Sequence, residues 1–196
     1  AMMYPCRDME QLCYKEMLAD NTVKKMPRKE DMVLDAANIC RLGKDWVYLE
    51  SDSGNTKAYE WLCEQYPSIN IEKVNFYAGV HIDSTIVPLR QGLAICNKPR
   101  VKSKRYLPPC MKDWEIIWVE DVTAQVFYQY PYASKWIGLN MLSINDHTVI
   151  VDTAQLELST VLEKKGFTVI PHTLRHSRTL GGGHHCVTLD TWREND

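Results

Sequence analysis

Two amphipathic stretches, each bracketed by short apolar runs, constrain this chain more than any other feature. In the first, Tyr59, Leu62 and Cys63 share one face of a helix predicted over 56–65, with Pro67 beyond its end. In the second, predicted over 155–165, Gly166 stops the helix, and Lys164 and Lys165 sit at the end its dipole favours. Strand-like runs flank both, so strand, helix, strand recurs over 45–76 and again over 148–170. Strands alternating with helices make a mixed α/β domain, and a unit recurring at this size points toward a repeat architecture.

The rest of the pattern fills in around those units. Met9, Leu12, Cys13, Met17 and Leu18 predict a helix over 7–20, followed by a basic, Pro-broken connector over 24–29. Residues 1–30 therefore read as an N-terminal helix and connector. Strands are predicted at 32–34, 45–49, 69–76, 82–89, 93–96, 114–119, 167–170 and 185–189, and a hairpin joins 137–144 to 148–151 around Asn145-Asp146. Residues 101–110, with Lys102, Lys104, Arg105, Pro108 and Pro109, read as an exposed loop, and 125–132 as an aromatic-rich connector. No shift of composition marks a boundary, so 1–196 is read as a single domain.

Composition removes several function classes. A chain of 196 residues can bury a sizeable core. Lys and Arg number 23 against 25 Asp and Glu, a net charge of −2, which leaves no electrostatic case for nucleic acid or a polybasic membrane contact. No apolar run approaches the roughly 20 residues of a membrane span, and the N-terminus has no basic region leading into an apolar stretch. The expected location is cytoplasmic. The cysteines (Cys6, Cys13, Cys40, Cys63, Cys96, Cys110 and Cys186) form no C-x-x-C pair, and all but Cys186 read as buried thiols in a reducing compartment.

Cys186 stands apart because of what precedes it. Gly181-Gly182-Gly183 is followed at once by His184, His185 and Cys186. Three glycines in a row suit a place where the chain turns sharply or lets something approach its backbone. A phosphate loop would need Gly-x-x-x-x-Gly-Lys-Ser/Thr, which is absent. Metal is not expected: adjacent histidines on a strand point to opposite faces, and Pro109-Cys110 lacks the second cysteine of a deaminase zinc site. On the residues alone, a reactive thiol and an inert buried one stand level here.

The stretch from Leu180 through Gly-Gly-Gly-His-His-Cys-Val-Thr-Leu to Asp190 resembles the nucleophile motif of the glycine amidinotransferase family, pentein enzymes that modify guanidines. Leu34-Asp35-Ala36-Ala37-Asn38, His81-Ile82-Asp83-Ser84-Thr85 and Ala133-Ser134-Lys135-Trp136 agree in order and spacing. The resemblance covers about Met32 to Arg193. It implies that Cys186 attacks the guanidinium carbon of arginine and carries the amidino group covalently to an amine acceptor. His81 would be the acid and base, Asp35 the carboxylate that holds it, and Asp83, Arg100 and Ser134 donor-binding residues. The chemistry fits: a resonance-stabilised guanidinium needs a soft thiolate, and a histidine near neutrality can serve both departing and incoming amines. No cofactor is implied.

The sequence also departs from the family. Asn38 replaces a second acidic residue and Ala133 a serine, so a different guanidine donor or weakened donor binding is expected. The pentein fold is an α/β propeller that closes five strand–helix units around a ring, and this chain matches roughly three. Its N-terminal units, with a further donor-binding acid, have no counterpart. A shorter open form, a homo-oligomer or other partner segment, or a longer gene product would each answer this. Two other functions stand beside amidino transfer: a deiminase-like hydrolase in which water replaces the acceptor, and a truncated pentein that binds a guanidine or a partner without catalysis.

Overall fold

The structure, a computed structural model, describes residues 31–79, 81–124 and 132–190, together with 24, 26 and 27. The helix expected over 7–20, Cys6 and Cys13, and all but the last residue of the 125–132 connector lie outside the described residues. The chain divides into two compact units, Ala1–Ile82 with Asp190–Asp196, and Asp83–Leu189.

The first unit holds one three-stranded sheet. Strands β1 (Ile39–Leu42) and β2 (Asp45–Leu49) pair antiparallel, and helix α1 (Thr56–Gln65) carries the chain back to β3 (Asn70–Val74), parallel to β2. Gly43, at φ +70°, makes the left-handed hairpin turn. Asn55 caps α1 by accepting the Ala58 N–H at 3.1 Å. Tyr48, Leu62 and Ile71, one from each of β2, α1 and β3, form the buried centre.

The second unit repeats that order twice. Strands β4 (Ile86–Arg90), β5 (Leu93–Asn97) and β6 (Glu115–Val119) form one sheet, and β7 (Leu142–Asn145), β8 (Thr148–Asp152) and β9 (Thr168–His172) another. In each, an antiparallel hairpin is followed by a parallel strand. Helix α3 (Leu156–Lys164) makes the second crossover. The first is made by the one-turn helix α2 (Lys98–Val101) and two short 3-10 turns, followed later in the chain by the one-turn helix α4 (Ser177–Leu180). Leu89, Ile95, Leu139, Val149, Leu162 and Phe167 lie in one apolar cluster spanning both sheets.

Several expectations are corrected. Residues 32–34 form only an isolated bridge at Leu34, and 82–85 are a turn, the strand beginning at Ile86. Ile82 is apolar because it is fully buried, not because it alternates in a ladder. The 101–110 segment is only partly the exposed loop expected: Lys102, Lys104 and Arg105 are exposed, but Val101 and Leu107 are buried and two 3-10 turns run through it. Residues 137–139 belong to a 3-10 helix, Lys135–Leu139, that buries Leu139, so the hairpin starts only at Leu142. The strand expected at 185–189 is a turn, because its N–H groups bond locally: Val187 to Gly183 and Thr188 to His185. Of the cysteines expected to be buried, Cys40 and Cys96 are, whereas Cys63 and Cys110 are half-buried.

Candidate active site

In the first unit, Asp35 and His81 meet. Asp35 caps the 3-10 turn Ala36–Asn38, its Oδ1 accepting the Ala37 N–H at 3.4 Å. That leaves Oδ2 to pair with His81 Nε2 at 3.1 Å. The backbone on either side is tied down: Tyr77 donates its hydroxyl to the His81 carbonyl, and Ile82 N–H bonds to Ala37 O at 2.9 Å. Both side chains are only partly exposed, 29% for His81 and 17% for Asp35. A carboxylate on one ring nitrogen fixes the tautomer and orientation of the ring.

In the second unit, Asp83 and Cys186 meet. The Cys186 thiol donates to Asp83 Oδ2 at 3.2 Å, and His185 Nδ1 reaches the same oxygen at 3.2 Å. The Asp83 side chain is 9% exposed and the His185 ring 55%. The residue Cys186 is exposed, yet enough of the chain surrounds its sulfur that desolvation is the first of the causes pushing its thiol up to about 12. The Asp83 charge and the hydrogen bond to it add to that rise, while the backbone of Gly183 and the side chain of Asn140, neighbours able to donate to an ionised sulfur, oppose it. The resting thiol is therefore protonated at neutral pH, held beside an acid able to attract a cation.

Glycines shape this turn in two ways. Gly181, at φ +76°, adopts a backbone that other residues rarely take. At Gly183 a Cβ would stand 2.5 Å from Asn140 Oδ1, so only glycine permits that close approach. Gly182 has ordinary contacts and neither constraint.

The other candidates sit as follows. Arg100 is anchored by the turn after Asp83, its Nη1 donating to Thr85 Oγ1 at 2.8 Å and Ser84 Oγ at 3.1 Å. Ser134 is exposed at the start of the 3-10 helix Lys135–Leu139, and its side chain makes no capping bond. Asn38 is fully buried: its Nδ2 donates to Leu49 O and Ser51 Oγ, and its Oδ1 accepts from Ser53 Oγ at 2.6 Å. It thus builds the first unit's interior. His184 is buried, its Nε2 3.2 Å from His172 Nδ1. Among the described residues no three His, Cys, Asp or Glu side chains gather as a metal site.

No protein-family model matches the chain. Individual proteins do. It is 43% identical over 169 residues to inosamine-phosphate amidinotransferase 1 of Streptomyces griseus, covering 84% of this chain and 48% of that protein. It is 29% identical over 162 residues to the L-arginine:L-lysine amidinotransferase of Pseudomonas savastanoi pv. phaseolicola, covering 81% of this chain and 44% of that protein. The solved structure of the Streptomyces griseus inosamine-phosphate amidinotransferase matches 100% of this chain and 64% of its own, with a TM-score of 0.91 at 36% identity.

This chain is an amidinotransferase homologue.

Its α/β pentein fold is shared more widely: DDAH from Pseudomonas aeruginosa matches 94% of the chain with a TM-score of 0.71 at 15% identity. The homologue spans about half the length of the curated relatives it matches. No helix among its described residues is long and apolar enough to cross a membrane. Sequence reasoning assigned no role to two residues beside Cys186, His185 and Asn140. The paired histidines were visible but gave no sign of which faces Asp83. Asn140, six residues beyond Ser134, carried no signal at all.

Proposed function

We propose that the protein moves an amidino group from arginine, or a similar guanidine, to an amine acceptor through an amidino-Cys186 intermediate. The observation that carries this reading is the Cys186 thiol on the Asp83 carboxylate at 3.2 Å: a soft nucleophile and a cation-binding group share one place. The names of the amidinotransferase relatives supply the reaction class, and that of the Pseudomonas savastanoi enzyme names arginine among what it acts on. The recurrence of one strand order in each sheet supports a partial five-unit propeller.

In this scheme the guanidinium pairs with Asp83, and Arg100 grips the donor's carboxylate beside Ser134. Cys186 gives its proton to His81 as the sulfur bonds to the guanidinium carbon. The carbon–nitrogen bond to the departing amine then breaks, and His81 returns the proton to that nitrogen. An acceptor amine next loses a proton to His81 and attacks the same carbon. The carbon–sulfur bond breaks, and the proton on His81 restores the thiol. Asp35 holds the imidazole and steadies it while charged.

An intact-mass spectrum after brief incubation with arginine and no acceptor tests this, with the modified peptide mapped. One amidino group on Cys186 with free ornithine in solution is the expected result. An adduct keeping the arginine skeleton minus ammonia would indicate hydrolase chemistry instead, and no adduct would remove the catalytic reading.

A further inference from the structure

We infer that Asn140 is the positioning residue of the nucleophile, fixing Cys186 in its turn and offering a hydrogen-bond donor to the sulfur as it ionises; this rests on Cys186 being the nucleophile proposed above. Asn140 follows the 3-10 helix Lys135–Leu139, is 1% exposed, and is anchored by its own N–H to Ile137 O at 2.9 Å. Its carbonyl accepts the His185 N–H at 3.3 Å, and its Oδ1 accepts the Cys186 N–H at 3.0 Å. Two consecutive backbone donors of the nucleophile turn are thus held by one residue.

The side-chain amide has only one sensible orientation. Rotating it end for end would set Nδ2 against the Cys186 N–H, donor against donor. With Oδ1 so fixed, Nδ2 is buried and has no hydrogen-bond partner. A buried amide donor left unmade costs stability, and such groups are rare enough to require a reason. A clamp alone does not supply one, because Oδ1 already does the clamping. A sulfur that turns from a weak acceptor into a strong one when it loses its proton does. Gly183 is spared a Cβ where Asn140 approaches, so the turn is shaped around this side chain. The Asn140 amide and the Gly183 N–H are also the two neighbours that favour the thiolate, against burial and Asp83. Once a cation occupies Asp83, those donors remain to stabilise the anion.

Two variants test this. Asn140→Asp keeps the shape and the acceptor for Cys186 N–H but replaces the donor with an oxygen; Asn140→Leu removes the donor without adding charge. The readout is the pH profile of iodoacetamide alkylation at Cys186, resolved by peptide mapping, on protein shown to be folded by its thermal melt. Both profiles should move to higher pH, so that alkylation at a fixed pH near 8 slows by about tenfold per unit moved, more for Asp than for Leu. A residue with a merely structural role would lower the melting temperature and leave the profile where it is. A folded Asp or Leu variant with the wild-type profile, or one shifted to lower pH, overturns the inference. Alkylation needs no turnover, so the two readings fail separately. An arginine adduct on wild type with unshifted variants removes Asn140 alone, whereas shifted variants with no adduct remove the catalytic reading.

Discussion

A thiol hydrogen-bonded to a carboxylate is a poor nucleophile until something changes the carboxylate. After burial, Asp83 raises the Cys186 thiol both by its charge and by accepting its hydrogen bond. Asp83→Asn should therefore speed alkylation of Cys186 at pH 8, by about tenfold for each unit its pKa falls. Under the proposed transfer, the same substitution should abolish turnover, because the guanidinium would lose its partner. Rates that fall together would show that Asp83 serves only to hold the turn. His81 is the complementary case, since its ring is set by Asp35 within one unit. Under the proposed scheme, in which His81 is the acid and base, its loss costs about 10²–10⁴-fold, so His81→Ala should lower turnover by that amount, and Asp35→Asn by less, with Cys186 alkylation unchanged in either. Cys186, His81, Asp35 and Asp83 could be singled out in the sequence through the resemblance, whose motifs restrict residue types in a fixed order: a thiol, an imidazole and carboxylates. Asn140 and His185 were not, because what matters about them is which atom they face, and an asparagine in an apolar stretch has no pattern of its own.

The turn that carries Cys186 shows why its structure was misread at the scale of elements. Alternating Val187 and Leu189 suggested a strand, but both are exposed, and the local N–H groups close on Gly183 and His185 rather than on a neighbouring strand. Placing a Cβ 2.5 Å from Asn140 Oδ1, Gly183→Ala should displace the turn. Overpacking of this kind costs about 1–3 kcal/mol, so a lower melting temperature is expected, together with an altered Cys186 alkylation rate. A melting temperature and rate equal to wild type would show that Asn140 moves aside freely. On the buried side of the same turn, His184 is pushed below its ordinary 6.5, first by burial and then by His172, with Asp152 pulling the other way. The native state resists a proton that the unfolded chain takes up below 6.5. Stability should accordingly be level above 6.5 and fall as pH drops below it, by at most about 1.4 kcal/mol per unit, until the native imidazole itself titrates. His184→Phe, if folded, should flatten that part of the stability–pH curve measured by urea unfolding.

At the scale of the whole chain, periodicity identified those crossovers that are amphipathic helices and missed the one that is not. Helices α1 and α3 were legible because each must turn one apolar stripe toward its sheet. The β5–β6 crossover is made of single turns rich in Pro and basic residues, which look like loop even while Val101, Leu107 and Met111 are buried. The repeat thus occurs three times among the described residues, although only two copies carried the sequence signal. The second unit holds two of those sheets, and their shared cluster makes its central strand a gauge of its integrity. All of β5 is buried, and burial pushes the Cys96 thiol within it up to about 12. Leu162, fully buried on α3, belongs to the same cluster as Ile95, the neighbour of Cys96 in β5. Replacing Leu162 with Ala removes methyl groups that the sheet-side core cannot refill, at a cost of about 2–5 kcal/mol. If β5 is exposed only when the cluster opens, that loss should accelerate Cys96 labelling in native buffer by about 30-fold or more, since every 1.4 kcal/mol is a factor of ten in the open population. Unchanged Cys96 labelling in a destabilised Leu162→Ala protein would mean that α3 can detach without opening β5, and the two sheets of this unit would then be separate cooperative elements.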